Sequence, residues 1–131
     1  MPDDIETIRT LSRIGDMYFR TGKFHESLTV KEQVYSAYRT ISGEDDEQTL
    51  EVQLDLAENL FALHQYEDAL KTYQNVFDRR VKNSSESEYT TMKILEYIAC
   101  TYAAMGNLEK ALTVQNRYYD LYQENFEVDS V

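Results

Sequence analysis

The chain says nearly the same thing three times. Gly15–Tyr35 reads GDMYFRTGKFHESLTVKEQVY. Forty-two positions later, Ala57–Phe77 reads AENLFALHQYEDALKTYQNVF, and forty-two further on Ala99–Tyr119 reads ACTYAAMGNLEKALTVQNRYY. The apolar and small positions stay in step without a gap: Ile8, Leu50 and Met92; Ile14, Leu56 and Ile98; Gly15, Ala57 and Ala99; Tyr18, Leu60 and Tyr102; Phe24, Tyr66 and Leu108; Ser27, Ala69 and Ala111; Leu28, Leu70 and Leu112. Val34, Val76 and Tyr118 stand beside Tyr35, Phe77 and Tyr119. A fixed period in the range of roughly 20–50 residues marks an array of small units that bury their apolar faces only by stacking on one another.

Within a unit the spacing is helical. Ile8, Leu11, Ile14, Gly15 and Tyr18 follow the i, i+3, i+4, i+7 rule. A short break follows at Gly22-Lys23, His64-Gln65 and Gly106-Asn107, and a second apolar run resumes behind it. Gly22 and Gly106 suit a left-handed helix stop and Asn107 an N-cap, whereas His64 meets the same turn less comfortably. Polar linkers, SGEDDEQ at 42–48 and KNSSESE at 82–88, separate the units. In them Asp45-x-x-Gln48 and Ser85-x-x-Glu88 resemble capping boxes. The expectation is helices at about 4–21, 24–41, 46–63, 67–82, 87–105 and 108–124, paired as helix A, tight turn, helix B. The small residues at 15, 57 and 99, and at 27, 69 and 111, would let paired helices approach closely.

This pattern resembles the tetratricopeptide repeat, from about Ile8 to Tyr122, on the Leu11/Leu95, Ile14-Gly15, Tyr18, Gly22, Phe24 and Ser27 series and its copies. The common form has a period of about 34 residues; the longer period here is similar to the kinesin light chain type. The linker Gly43-Glu44-Asp45-Asp46-Glu47-Gln48-Thr49-Leu50 is similar to the Gly-x-x-His-Pro-x-Thr-Leu linker of that group without its His-Pro pair. The signature tryptophan and the proline closing helix B are absent as well. The resemblance implies an all-α, right-handed superhelical solenoid of three antiparallel helix-turn-helix repeats, at about 8–41, 50–83 and 92–124 of a single domain spanning 1–131.

Composition agrees. One proline and four glycines leave little material for many turns. A formal net charge of −11 repels nucleic-acid phosphates and anionic membrane surfaces. No run approaches the roughly 20 apolar residues of a membrane span. The opening MPDDIETIRT lacks the features of a signal peptide, and Cys100 has no partner for an internal disulfide. The expected setting is cytoplasmic.

Catalysis finds no footing. His25 and His64 lie near turns without metal-spaced companions, so they read as turn residues and no metal site is expected. Cys100 reads as a small, at least half-buried helix residue. Glu44-Asp45-Asp46-Glu47 lacks the ligand spacing of a calcium loop and reads as a solvated linker. No phosphate-binding glycine loop occurs, and no cofactor is expected. Of the eleven tyrosines, Tyr18, Tyr66, Tyr102 and Tyr119 fall in core columns, while Tyr38, Tyr89, Tyr97 and Tyr122 fall outside them and read as exposed contacts.

A binding role is left. In such arrays the A helices line a concave face. At about 100° per residue, the direction opposite the core stripe is held by Arg9, Arg13, Asp16 and Arg20 in the first repeat. Glu51, Asp55, Glu58 and Ala62 follow in the second, and Lys93, Tyr97, Cys100 and Ala104 in the third. Phe19 and Phe61 flank the face. The expectation is a non-catalytic protein-interaction module that takes a peptide or helix of another protein on Arg9, Arg13, Asp16, Phe19, Arg20, Asp55, Glu58, Phe61, Lys93 and Tyr97. The Lys and Asn clamp with which chaperone-binding members of the family hold a C-terminal carboxylate is matched only by Lys93. The paired asparagines of kinesin light chains are replaced by Ser12-Arg13, Leu54-Asp55 and Glu96-Tyr97. The alternative is a structural, self-associating segment of a longer array, with Leu112, Tyr118, Tyr119, Leu121 and Tyr122 of the last helix forming a homodimer contact, and with no further helix in the closing EVDSV.

Overall fold

The computed structural model describes residues 4–126; the closing EVDSV lies outside them. Six helices follow one another: α1 (Ile5–Arg20), α2 (Phe24–Ser42), α3 (Glu47–Ala62), α4 (Tyr66–Asn83), α5 (Tyr89–Ala104) and α6 (Leu108–Asn125). No strand occurs among the described residues. The fold is the all-α helix-turn-helix repeat that the period implies, and each boundary falls within about two residues of its expected place.

All three A–B turns close the same way. The backbone N–H groups of Gly22 and Lys23 donate to the carbonyls of Phe19 and Tyr18; His64 and Gln65 donate to Phe61 and Leu60; Gly106 and Asn107 donate to Ala103 and Tyr102. This doubly bonded helix stop requires a left-handed residue, which is Gly22 (φ 80), His64 (φ 64) and Gly106 (φ 85). A side chain in that region costs roughly 1–2 kcal/mol, and His64 recovers part of it by stacking on Tyr66 with ring centroids 5.6 Å apart. His64→Gly should therefore raise stability by about 1 kcal/mol in urea denaturation. A loss of stability would mean that the stack outweighs the strain.

The inter-repeat caps differ in detail from the capping boxes. α3 is capped by Asp46 rather than Asp45: Asp46 has the extended backbone a cap needs, and its carboxylate accepts from the Gln48 N–H at 3.0 Å. Before α5, Ser85 Oγ is engaged by the Ser87 N–H at 3.1 Å, and Glu88 becomes the N-cap without a side-chain capping bond. Asn107 caps α6 as expected, accepting from the Lys110 N–H.

The helices gather into two compact units that divide within α4, between Thr72 and Tyr73. In the first, Ile8 of α1, Val34, Ala37 and Tyr38 of α2 and Val52 of α3 form a core flanked by Leu11, Val30 and Tyr35. Tyr38 is buried, contrary to its reading as an exposed contact, because it continues the Ser27, Lys31, Val34 stripe of α2 at helical spacing. The small columns act as spacers. Ser27 Oγ donates to the Gly15 carbonyl at 2.8 Å, which places α1 and α2 backbone-close. In the second unit Val76, Met92, Ile94, Leu95, Ile98, Ala99 and Ala111 are buried.

Further readings of single residues change. Ile14 is exposed although Ile98 in the same column is buried, because among the described residues no helix precedes α1 to cover that side. Cys100 is exposed, since it follows buried Ala99 onto the Asp16/Glu58 column. Tyr119 is also exposed, together with Leu112 (63 %).

Candidate functional site

On α1, residues that follow the buried Ile8 and Gly15 by one position turn toward α3 and solvent. Arg9 and Arg13 of α1 meet Gln48, Glu51 and Asp55 of α3 around a cavity of about 280 Å³, with Ser12, Tyr38 and Val52 also in its wall. Further along the same helix, Asp16, Phe19 and Arg20 meet Asp55, Glu58 and Asn59 of α3 around a second cavity of about 230 Å³. Ser27 and Lys31 of α2 close the wall of that one. Asp55 borders both cavities. Seven of the ten expected positions thus lie on the first unit's α1 and α3 around these openings, and an eighth, Phe61, lies near them in the chain. Phe61 instead packs edge-on against Tyr66, centroids 5.1 Å apart, as Phe19 does against Phe24 at 5.2 Å.

Lys31 organises this face, and the sequence reading passed over it. Its side chain is 2 % exposed, yet its Nζ donates to Asp16 Oδ1 at 2.6 Å, Asp55 Oδ2 at 2.9 Å and Ser12 Oγ at 3.3 Å. One ammonium on α2 therefore ties α1 to α3. Burial alone would lower the Lys31 pKa, but the two carboxylates outweigh it and hold it above the ordinary lysine value. At the other end of the bridge, burial pushes Asp55 up against the pull of Lys31, with Asp16 adding to the push. The two ends thus weigh the bridge oppositely. The Lys31 end governs, because the Asp55 side chain keeps 41 % of its surface in water and the ammonium keeps almost none. Partial burial, then the charge of Asp55, also push Glu58 upward.

Gly15 explains why the lysine fits. A Cβ built there would meet Lys31 Cε at 2.9 Å, so the aliphatic stem crosses directly over the glycine. Two signals in the sequence pointed to this: a lysine in the buried stripe of α2, and a glycine where the later repeats carry Ala57 and Ala99. Asn59 was missed for a related reason. It lies two positions beyond Ala57 and is buried, with its Nδ2 donating to the Asp55 carbonyl at 3.2 Å.

The other expected contacts belong to the second unit. Lys93 donates to Glu96 at 2.5 Å, and that bond pushes its pKa up to about 12. Tyr97 is exposed and tilts against Tyr73, centroids 5.5 Å apart. On α6, Tyr118 and Leu121 are half-buried, while Leu112, Tyr119 and Tyr122 are exposed. Among the described residues no cluster of three or more His, Cys, Asp or Glu side chains is arranged to hold a metal ion.

Comparisons with known proteins bear on this arrangement. The search of curated proteins returns no significant match. Among solved structures, the nearly identical TPR-like repeats of a kinesin light chain-type protein from Podosopora anserina, in two structures of which one is a point variant, superpose with TM-scores of 0.82. They are 16 % and 17 % identical over 93 % and 96 % of this chain, which spans only 57 % and 60 % of theirs. The TPR domain of Arabidopsis FLU superposes with a TM-score of 0.77 at 17 % identity, covering 91 % of this chain and 97 % of that one. At these identities the likeness establishes the fold alone. The sequence itself matches the tetratricopeptide repeat model twice, over residues 6–80 and 53–124. With the doubly bonded A–B turns and the buried small columns at the same period, these matches place the chain in the tetratricopeptide repeat family.

Proposed function

We propose that the chain is a non-catalytic interaction module that binds a segment of another protein on the exposed faces of its A helices, with α1 and α3 supplying the main contacts. Tetratricopeptide repeats are in general protein–protein interaction modules, and family members are typically scaffolds rather than enzymes. The observation that carries the finer reading is the pair of adjoining polar cavities between α1 and α3. The first sets Arg9 and Arg13 beside Glu51 and Asp55, and the second sets Asp16, Asp55 and Glu58 beside Arg20 and Lys31. Charges of both signs at fixed places along α1 and α3 can fix the register of a bound chain. Arg13 and Arg20 lie about 10 Å apart along α1 at the helical rise per residue, roughly three residues of extended peptide. Arg9 and Arg13 are proposed to hold acidic groups, Asp55 and Glu58 basic ones, and Phe19 and Phe61 to add apolar contact. Lys93 and Tyr97 offer further contacts on the second unit. The strongly negative net charge favours a protein partner over nucleic acid. No helix among the described residues is long and apolar enough to cross a membrane, and a cytoplasmic setting is part of the proposal.

The test is a binding isotherm for a partner isolated from native extract. Arg13→Ala and Glu58→Ala should each weaken binding by about 2 kcal/mol. Glu32→Ala and Gln33→Ala, on the exposed side of α2, should change it by less than about 0.5 kcal/mol. The reverse pattern would move the site to the B helices.

A second reading has its own support. Leu108, Leu112, Tyr119 and Tyr122 are exposed and fall within about 80° of one another on α6. An apolar stripe of this kind favours association. If it joins two copies of this chain, sedimentation should report a dimer that Leu112→Glu converts to monomer; a wild-type monomer at millimolar concentration would rule that out.

A further inference from the structure

The second cavity, beside Lys31, has an excess of hydrogen-bond acceptors. An ammonium has three donors, and Lys31 spends all three on Asp16, Asp55 and Ser12. Each of the two aspartates keeps a second carboxylate oxygen, and Glu58 stands at the same opening. The decisive group is Asn59. It is 1 % exposed, its Nδ2 is committed to the Asp55 carbonyl, and its Oδ1 accepts no hydrogen bond from the protein. A buried amide oxygen in the wall of a cavity calls for a donor from outside. At about 230 Å³ the space suits one side chain rather than a drug-sized molecule.

We propose that this cavity receives the guanidinium of an arginine in the bound segment, with Asn59 Oδ1 and the Glu58 carboxylate accepting its N–H groups. The inference rests on the interaction reading above and names the chemistry of one subsite. Arginine fits better than lysine for three reasons. Its donors are spread over a planar fork and so reach acceptors on different residues. It is more weakly hydrated, so entering the cavity costs it less. Phe19 in the wall supplies an aromatic surface on which a guanidinium stacks. Arg20 and Lys31 oppose the incoming charge, but Arg20 is exposed at the opening, where solvent and salt screen it, and Lys31 is offset by its two carboxylate partners Asp16 and Asp55.

The experiment titrates the isotopically labelled chain with N-acetyl-arginine amide, N-acetyl-lysine amide and N-acetyl-citrulline amide, and follows the Asn59 side-chain amide by NMR. Citrulline keeps the shape of arginine and lacks the charge. The arginine probe should shift the Asn59 signal saturably, and the other two should bind about tenfold more weakly. Glu58→Gln leaves the Lys31 bonds intact and should weaken the arginine probe about fivefold. Equal response to all three probes, shifts that avoid the cavity, or an unchanged affinity in Glu58→Gln would overturn the proposal. The two readings fail separately. If Arg13→Ala weakens the natural partner while the arginine probe ignores Asn59, the A-helix face stands and the arginine subsite falls. If the probe binds at Asn59 while the partner is insensitive to Arg13→Ala and Glu58→Ala, the subsite stands and the interaction reading falls.

Discussion

Lys31→Ala should lower the unfolding free energy by about 3 kcal/mol, a large effect for a charged residue. The substitution removes two charge-assisted hydrogen bonds, each of which contributes about 1.5–3 kcal/mol. It also removes the stem that fills the space over Gly15, and it leaves Asp16 and Asp55 facing each other without their shared cation. Both aspartates keep about half of their surface in water, which limits the penalty to the lower part of the summed range. Lys31→Met retains the stem and should cost about half as much, so the pair of variants separates packing from charge. The charge part is pH-dependent. A lysine held above its ordinary 10.5 in the folded state contributes stability that is fully present below that value. That contribution is lost as pH rises through the folded value. The stability gap between wild type and Lys31→Met should therefore be flat from pH 7 to about 10 and narrow above it. A gap that persists at higher pH would show that shape, not the bridge, sets the effect.

Ala69→Leu should cost about 3 kcal/mol by overpacking. Ala69 is 0 % exposed and occupies the column in which Ser27 touches the Gly15 backbone in the first repeat. Three added carbons on a fully buried side chain must push the helix crossing open. Lys71→Leu, two residues away on the exposed side of α4, is the control and should stay within about 0.5 kcal/mol of wild type. Urea denaturation followed by helical circular dichroism reads both. A neutral Ala69→Leu would mean that the small columns do not space the helices.

The columns made the fold legible because burial in a repeat is sampled three times. Gly15, Ala57 and Ala99 are small and buried for one reason, and no single position has to carry the inference. The turns were equally plain, since the same two hydrogen bonds recur at Gly22, His64 and Gly106. What stayed hidden is what departs from the column average. Lys31 sits where the later repeats have Tyr73 and Gln115, so averaging erased the one residue that organises the face around Asp16 and Asp55. Tyr38 was misplaced because its column lay beyond the motif used to align the repeats, although its spacing from Lys31 and Val34 placed it on the buried stripe. The outward positions Arg9, Arg13, Asp16 and Glu58 were found by helical geometry alone. Their pairing into two cavities depends on how α2, through Lys31, holds α1 beside α3, which periodicity does not encode.

The central claim is that the α1 and α3 face is the working surface. Hydroxyl-radical footprinting of the chain with its isolated partner bound, read by mass spectrometry, tests it most directly. The account predicts that Phe19 and Phe61 lose reactivity on binding, while Ile41 at the end of α2 and Leu112 and Tyr119 on α6 keep theirs. Unchanged reactivity at Phe19 and Phe61, with protection at Ile41 or along α6, would contradict it.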